Sequence, residues 1–238
     1  MSTLQTILWS SVGKKFLTGL TGLALFAFVV VHLIGNLTLF IGAEVFNHYA
    51  HFLESLLHGW FIYVAEVGLI SIFLIHIVAG VAVTLDKWRA RPDGYQQSRG
   101  AGGASKKTIS SSTMIYTGII LLVYTVIHVI MFKYGPARIV EAEQAGGEGV
   151  CDLYGLVVYS FKQPVIAFGY VAAMIVLGFH LRHGFWSAFQ SLGLGNDRYT
   201  PFLVGLGLVL AVLLALGFLI LPLYMYFLVD PAAAAIAS

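Results

Sequence analysis

The sequence predicts an all-α integral membrane protein, a bundle of five transmembrane helices. The first observation is composition: 59% of the 238 residues are hydrophobic and only 10% are charged, whereas soluble domains carry about 25% charged residues. The second is that the apolar residues form five separate runs, each long enough to cross a bilayer core of about 30 Å as a helix. A chain so poor in charge cannot cover a water-facing surface, so the expected solvent is the lipid bilayer.

The spans are placed at residues 16–41, 59–85, 111–132, 164–186 and 201–228, within a single membrane domain that covers residues 1–238. Pro164 and Pro201 suit the first turn of a helix, where a missing N–H removes no hydrogen bond. Lys14 and Lys15 precede the first span as in a signal peptide, but its apolar run is too long for one, so it is expected to stay in the membrane.

The basic residues predict an orientation for the chain. Ten of the 13 Lys and Arg residues fall on the side of the N-terminus, which the positive-inside rule assigns to the cytoplasm, with the C-terminus outside. The inner loop 86–110 is basic, which fits either a docking site for a soluble partner or the topology signal alone. The net charge of +2 is too small to indicate nucleic-acid binding.

Cys151 is the only cysteine. An intramolecular disulfide and an iron–sulfur cluster held by thiolates of this chain are therefore both excluded. Any iron–sulfur cluster must therefore come from a partner.

Four of the eight histidines lie inside the first four spans, one on each helix: His32, His76, His128 and His180. A single intramembrane histidine often only hydrogen-bonds a neighbouring helix. Their depths, however, can be compared at 1.5 Å per residue. Because successive helices run in opposite directions, the sequence predicts an outer pair, His32 with His128, and an inner pair, His76 with His180.

Pairs of histidines on opposing helices favour haem. A haem iron takes two protein ligands, whereas structural zinc takes four at one point. We therefore expect two b-type haems, each with both axial positions filled, and electron transfer rather than oxygen activation. Small residues near the ligands leave room for a flat ring, although they serve helix packing equally well; they are Gly35, Gly80, Gly178 and Gly184.

The segment between the first two spans is rich in titratable groups. Glu54, His51 and His58 could exchange protons with a quinone near the outer haem, and a solvated interfacial loop is an equal alternative. Glu66 lies in the outer part of the second span, where a carboxylate is costly unless it is used or paired.

The inner end of the fourth span carries Arg182 and His183. These two residues, with Lys14 and Lys15, are candidates for neutralising haem propionates or for facing a partner. Simple anchoring at the membrane interface is an equal alternative.

Two stretches carry a resemblance to a known family. One runs from His32-Leu-Ile-Gly-Asn through Gly42-Ala-Glu-Val-Phe-Asn to Ala50-His-Phe-Leu-Glu-Ser55; the other is Phe179-His-Leu-Arg-His-Gly-Phe-Trp-Ser187 with Gln190-Ser-Leu-Gly193. They resemble the di-haem cytochrome b anchor of succinate dehydrogenase and fumarate reductase, of the single-anchor type with five spans.

The resemblance implies a complex with two further subunits on the cytoplasmic face of a bacterial membrane, an FAD flavoprotein and an iron–sulfur protein. The number of copies of this complex in an assembly is left open. Electrons would pass between the clusters and menaquinone or another quinone through two haems. The chain would be the quinone-reactive subunit of the enzyme, without a dicarboxylate site of its own. Glu54 matches a carboxylate associated with quinone chemistry in some members. Gly178 replaces a glutamate of some fumarate-reducing relatives, which favours succinate oxidation.

Two alternatives remain at this point. The first is the cytochrome b anchor of another quinone-linked complex, of the hydrogenase, formate dehydrogenase or nitrate reductase type. The second is a haem-free transporter or scaffold, which predicts broken helices or paired charges at mid-depth.

Overall fold

The computed structural model describes residues 3–90, 109–136, 139–141, 149–230 and 232 of the chain, and these residues are mostly helical. Five helical segments are long and apolar enough to cross a membrane: Ser11–Phe40, Trp60–Arg89, Met114–Phe132, Pro164–Ser191 and Thr200–Phe227. The chain is thus a multi-pass membrane protein by the length and composition of its helices. The predicted all-α fold class with five spans is confirmed.

The helices in the described part are, in chain order, α1 (Thr3–Leu8), α2 (Ser11–Asn36), α3 (Ala43–Ser55), α4 (Trp60–Arg89), α5 (Ile109–Ser112), α6 (Met114–Phe132), α7 (Leu153–Phe161), α8 (Pro164–Ser191) and α9 (Thr200–Phe227). A 3-10 turn, Leu37–Phe40, extends α2. Strands β1 (Ile139–Glu141) and β2 (Gly149–Cys151) form a small antiparallel hairpin ahead of α7.

The ends of the long helices lie within a few residues of their predicted positions. Helix α8 begins at Pro164, as expected for a proline in the first turn. Helix α4 continues past its apolar run to Arg89, because Lys87 and Arg89 in its last turn interact favourably with the negative end of the helix dipole. Residues 91–108 of the basic loop 86–110 lie outside the described part of the chain. The segment considered as a docking site for a soluble partner therefore falls mostly outside it.

The contacts within the chain divide it into two compact units. The first unit comprises residues 1–28, 68–119 and 178–212, and the second comprises residues 29–67, 120–177 and 213–238. The boundaries fall within the five long helices, so each of these helices contributes one portion to each unit.

The second unit has a core of aromatic and aliphatic side chains from α7, α8 and α9, among them Val158, Tyr170 and Met225. Helix α3 packs against α7 and β2. A buried polar junction fixes this contact: the Asn47 amide donates to Asp152 at 2.9 Å and accepts from the Tyr154 N–H at 2.8 Å. Asp152 also caps α7 by accepting from the Gly155 N–H.

Small residues and aromatic pairs pack the first unit. Phe26 of α2 and Phe185 of α8 lie 4.9 Å apart between ring centroids. A Cβ on Gly207 of α9 would come within 3.0 Å of the Phe185 ring, so a larger residue there would require the ring to shift slightly. The mostly buried ammonium of Lys14 forms an ion pair with Asp86, which neutralises one of the cations considered for haem propionates.

Candidate functional site

The second unit brings His32 and His128 together. Their ring centroids are 5.8 Å apart, and the ring planes are perpendicular. A metal held between two imidazole nitrogens at the usual distance of about 2 Å separates the centroids by roughly 6 Å. The spacing of the two rings therefore fits an iron with one histidine on each face.

Aromatic side chains surround this pair. Phe218 of α9 stacks on His32 with centroids 5.9 Å apart, and Tyr124 stacks on His128 at 5.8 Å. The hydroxyl of Tyr170 lies 3.3 Å from His128 Nδ1. Aromatic rings therefore lie against both histidines, which suits a largely apolar macrocycle.

The first unit holds the other two histidines, and each meets a threonine from a neighbouring helix. His76 Nδ1 on α4 lies 3.2 Å from Thr21 Oγ1 on α2. His180 Nδ1 on α8 lies 3.1 Å from Thr117 Oγ1 on α6. The His76 and His180 side chains also interact electrostatically with each other, so they are close together.

The threonine hydroxyls indicate which histidine nitrogen carries the proton. Thr21 Oγ1 lies 2.6 Å from the Leu17 carbonyl, and Thr117 Oγ1 lies 3.0 Å from the Met114 carbonyl. A hydroxyl has a single proton, and here each hydroxyl donates it in a hydrogen bond to a carbonyl of its own helix. Each hydroxyl is then an acceptor for Nδ1–H, and we assign the tautomer that leaves Nε2 unprotonated. An unprotonated Nε2 is the form that binds a metal.

A glycine on the partner helix lies against each first-unit histidine. A Cβ on Gly22 would lie 3.2 Å from His76 Cε1, and a Cβ on Gly118 would lie 3.6 Å from His180 Cε1. Each glycine directly follows the threonine that meets the same ring. A larger residue at Gly22 would therefore displace the ring it faces.

The glycines singled out in the sequence behave differently from one another. A Cβ on Gly80 or Gly184 would meet no atom within 4 Å, so open space lies one turn from His76 and His180. Gly35 instead accommodates Tyr49, whose ring would lie 2.7 Å from a Cβ at that position. The Tyr49 side chain thus fills the space beside Gly35, one turn from His32.

Arg182 and His183 differ in their surroundings. Arg182 is exposed, whereas His183 Nδ1 is buried without a hydrogen-bond partner. In the described part of the chain, only Ser110 Oγ shares this condition, and it also lies in the first unit. A buried nitrogen without a partner costs free energy, so His183 is suited to a polar group that the protein itself does not supply.

The residues considered for a quinone lie at the end of α3 and just after it. Glu54 is exposed on α3, His51 is half-buried, and His58 is exposed in a left-handed backbone conformation with φ of 56°. No direct contact joins these three side chains among the contacts of the described residues.

Glu66 is paired, as a carboxylate in a span should be: it accepts a hydrogen bond from Lys133 at the end of α6. The hydrogen bond with Glu66 raises the pKa of Lys133, and the charge of Glu54 adds to this effect. Glu54, Glu66 and Lys133 thus form one electrostatic group.

A surface pocket in the second unit lies elsewhere on α3. It is lined by Thr38, Val45, His48, Tyr49 and Phe52. At 100° per residue, the four lining residues on α3 share one side of the helix, and Glu54 falls on the opposite side. The pocket and the carboxylate therefore belong to different faces.

Sequence reasoning missed Thr21, Thr117 and Tyr170. The signal for the threonines is nevertheless present in the sequence: Thr-Gly is followed after nine residues by His on both α2 and α6. In each case the threonine precedes the span's own histidine, His32 or His128, by three helical turns. Tyr170 has no such signal, because only the fold brings it to His128.

No group of three or more His, Cys, Asp or Glu side chains that could hold a metal occurs among the residues described. No protein-family model, curated protein or solved structure matches the chain.

Proposed function

We propose that this protein is a membrane cytochrome b that carries electrons through two haems. His32 and His128 would ligate one haem, and His76 and His180 would ligate the other. The single observation that carries this proposal is the 5.8 Å spacing of the His32 and His128 rings. It is supported by the hydroxyls that accept from Nδ1 of His76 and His180 and leave Nε2 available.

A bound haem supplies reversible one-electron chemistry at its iron. The chain's own residues would set the conditions for that chemistry. Two histidines would hold each haem and would leave its iron no free position for oxygen. The aromatic side chains Tyr124 and Phe218 would exclude water from the His32–His128 pair. In the first unit, the buried Nδ1 of His183 is suited to a haem propionate.

The finer proposal is the anchor subunit of a succinate:quinone oxidoreductase in a bacterial cytoplasmic membrane. Its support is the resemblance of the His32–Ser55 and Phe179–Gly193 stretches to that family. Its partners would be the FAD flavoprotein and the iron–sulfur subunit. Electrons would pass between the iron–sulfur clusters and menaquinone or another quinone.

Glu54 is the proposed proton-exchanging group for the quinone, with His51 and His58 as neighbours in the chain. Its exposure at the end of α3 gives access to water, and Lys133 supplies a nearby positive charge. A carboxylate in this position can hand a proton to a quinone that has received an electron.

The test is a reduced-minus-oxidised spectrum with a pyridine haemochrome assay on the purified protein, repeated for His128→Ala. The expected result is two b haems per chain, with one lost in the variant. His48→Ala is the matched control, because His48 is an exposed histidine of the same unit. A folded protein without haem contradicts the proposal, and so does a His128→Ala variant that retains both haems.

A further inference from the structure

The threonines Thr21 and Thr117 occupy equivalent places in the first unit. Each lies on a helix next to the one that carries the histidine, and each lies within hydrogen-bond distance of Nδ1. Each is followed by a glycine close to Cε1 of the same ring. The same three features therefore recur at His76 and at His180.

The two threonines have little freedom to act in any other way. Thr21 is 7% exposed and Thr117 is 9% exposed, and both hydroxyl protons are directed to carbonyls of their own helices. Each hydroxyl oxygen can then accept a hydrogen bond, and Nδ1 of the imidazole on the next helix lies within hydrogen-bond distance. A buried threonine that only needed its own hydroxyl satisfied would not require a histidine at this distance.

We propose that Thr21 and Thr117 are positioning residues for His76 and His180. Each hydroxyl fixes the tautomer and the orientation of its ring, and so adjusts the reduction potential of the haem that these histidines share. This inference rests on the proposed haem ligation.

The expected direction follows from ligand basicity. A hydrogen bond from Nδ1–H gives the imidazole more negative character and makes it a stronger ligand. A stronger anionic ligand stabilises ferric over ferrous iron, which lowers the potential. Removal of the acceptor should therefore raise the midpoint potential of the His76–His180 haem and leave the His32–His128 haem unchanged.

The decisive variant is Thr117→Val, because valine has the shape of threonine without its hydroxyl. Thr21→Val is the second variant, although the backbone of Thr18 also hydrogen-bonds His76 and can retain part of the effect. Thr117→Ser restores the hydroxyl and should restore the wild-type potential. Thr84→Val is the control, since the Thr84 hydroxyl donates to Gly80 of its own helix in the same unit.

The measurement is a redox titration of the purified holoprotein, followed by its absorbance and by its low-spin ferric EPR signals. A higher potential for one haem in Thr117→Val, reversed in Thr117→Ser, supports the inference. Loss of that haem alone in Thr117→Val, with retention in Thr117→Ser, supports it also.

Three outcomes would overturn the inference. The first is a Thr117→Val protein with two haems of unchanged potential and EPR signal. The second is an equal shift in Thr84→Val, and the third is haem loss in Thr117→Ser as well as in Thr117→Val. Absence of haem from the wild-type protein would instead contradict the proposed function itself, so the two failures are distinguishable.

Discussion

The rings of His32 and His128 stand perpendicular to each other with centroids 5.8 Å apart, although 96 residues separate them in the chain. Helices α2 and α6 are responsible, because each places its histidine in the portion that belongs to the second unit. The other two histidines within the spans, His76 and His180, fall in the first unit. This separation into pairs permits tests in which one pair is changed and the other serves as its reference.

Substitution of single histidines should remove haems selectively. His180→Ala is expected to lose one haem and to keep the one assigned to His32 and His128, because the two pairs share no ligand. His128→Ala should lose the other haem, and the double variant should lose both. Spectra and EPR signals of the three proteins provide the check. Loss of the same signal from both single variants would contradict the assignment of the pairs.

Tyr170→Phe should raise the midpoint potential of the haem assigned to His32 and His128. The Tyr170 hydroxyl donates to Met131 Sδ, so its oxygen, 3.3 Å from His128 Nδ1, is the acceptor for Nδ1–H that the substitution removes. Tyr159→Phe is the control, since Tyr159 is an exposed tyrosine of the same unit. A redox titration in which both variants match the wild type would show that Tyr170 does not act on the ligand.

Asn47→Ala should destabilise the second unit by about 1–3 kcal/mol, the range for a buried polar group left without its partner. The change removes the bond to Asp152 and leaves the buried Tyr154 N–H without an acceptor. Thermal unfolding in detergent measures the effect. Ser55→Ala, at an exposed position of the same helix, is the control and should unfold at the wild-type temperature.

The ion pair between Glu66 and Lys133 should give a pH-dependent contribution to stability. Its pairing raises the pKa of Lys133 above the ordinary value of 10.5. The contribution is therefore complete below pH 10.5 and is lost as pH rises through the higher pKa of the folded state. The unfolding temperatures of wild type and Lys133→Gln should differ at pH 8, and the difference should shrink as the pH rises above 10.5. A constant difference over this range would contradict the assignment.

Glu54→Gln should slow electron transfer to a quinone without loss of haem, because glutamine cannot transfer a proton. The measurement is the rate at which the reduced protein transfers electrons to a menaquinone analogue. Glu44→Gln, another exposed carboxylate on α3, is the matched control. Equal rates for both variants and the wild type would remove Glu54 from the proposed quinone chemistry.

The spans could be predicted from the sequence because lipid imposes one strong requirement, a run of about 20 apolar residues. The sorting of the four histidines could be predicted for a similar reason, since depth along a helix is proportional to residue number. The contacts of Thr21, Thr117 and Tyr170 depend instead on how each helix is rotated about its axis. Hydrophobic periodicity is weak in helices that are apolar all round, so the sequence contains little information about rotation.

Gly35 also shows that the sequence does not reveal which side chain packs against a given position. Its position one turn from His32 suggested room for a ring, yet Tyr49 from α3 lies against it. Sequence spacing identifies where a small residue lies, but the occupant of the space depends on which helix packs there.

The helices α2 and α6 each carry a histidine for one unit and a Thr-Gly pair for the other, which has a consequence for the order of assembly. A chain is synthesised from its N-terminus, so the first two spans already contain both Thr21 and His76. The third span adds His128, and the His32–His128 pair then has both of its members. His180 arrives only with the fourth span, which follows Thr117 in synthesis. The His32–His128 pair therefore has both of its members during biogenesis a full helix earlier than the His76–His180 pair.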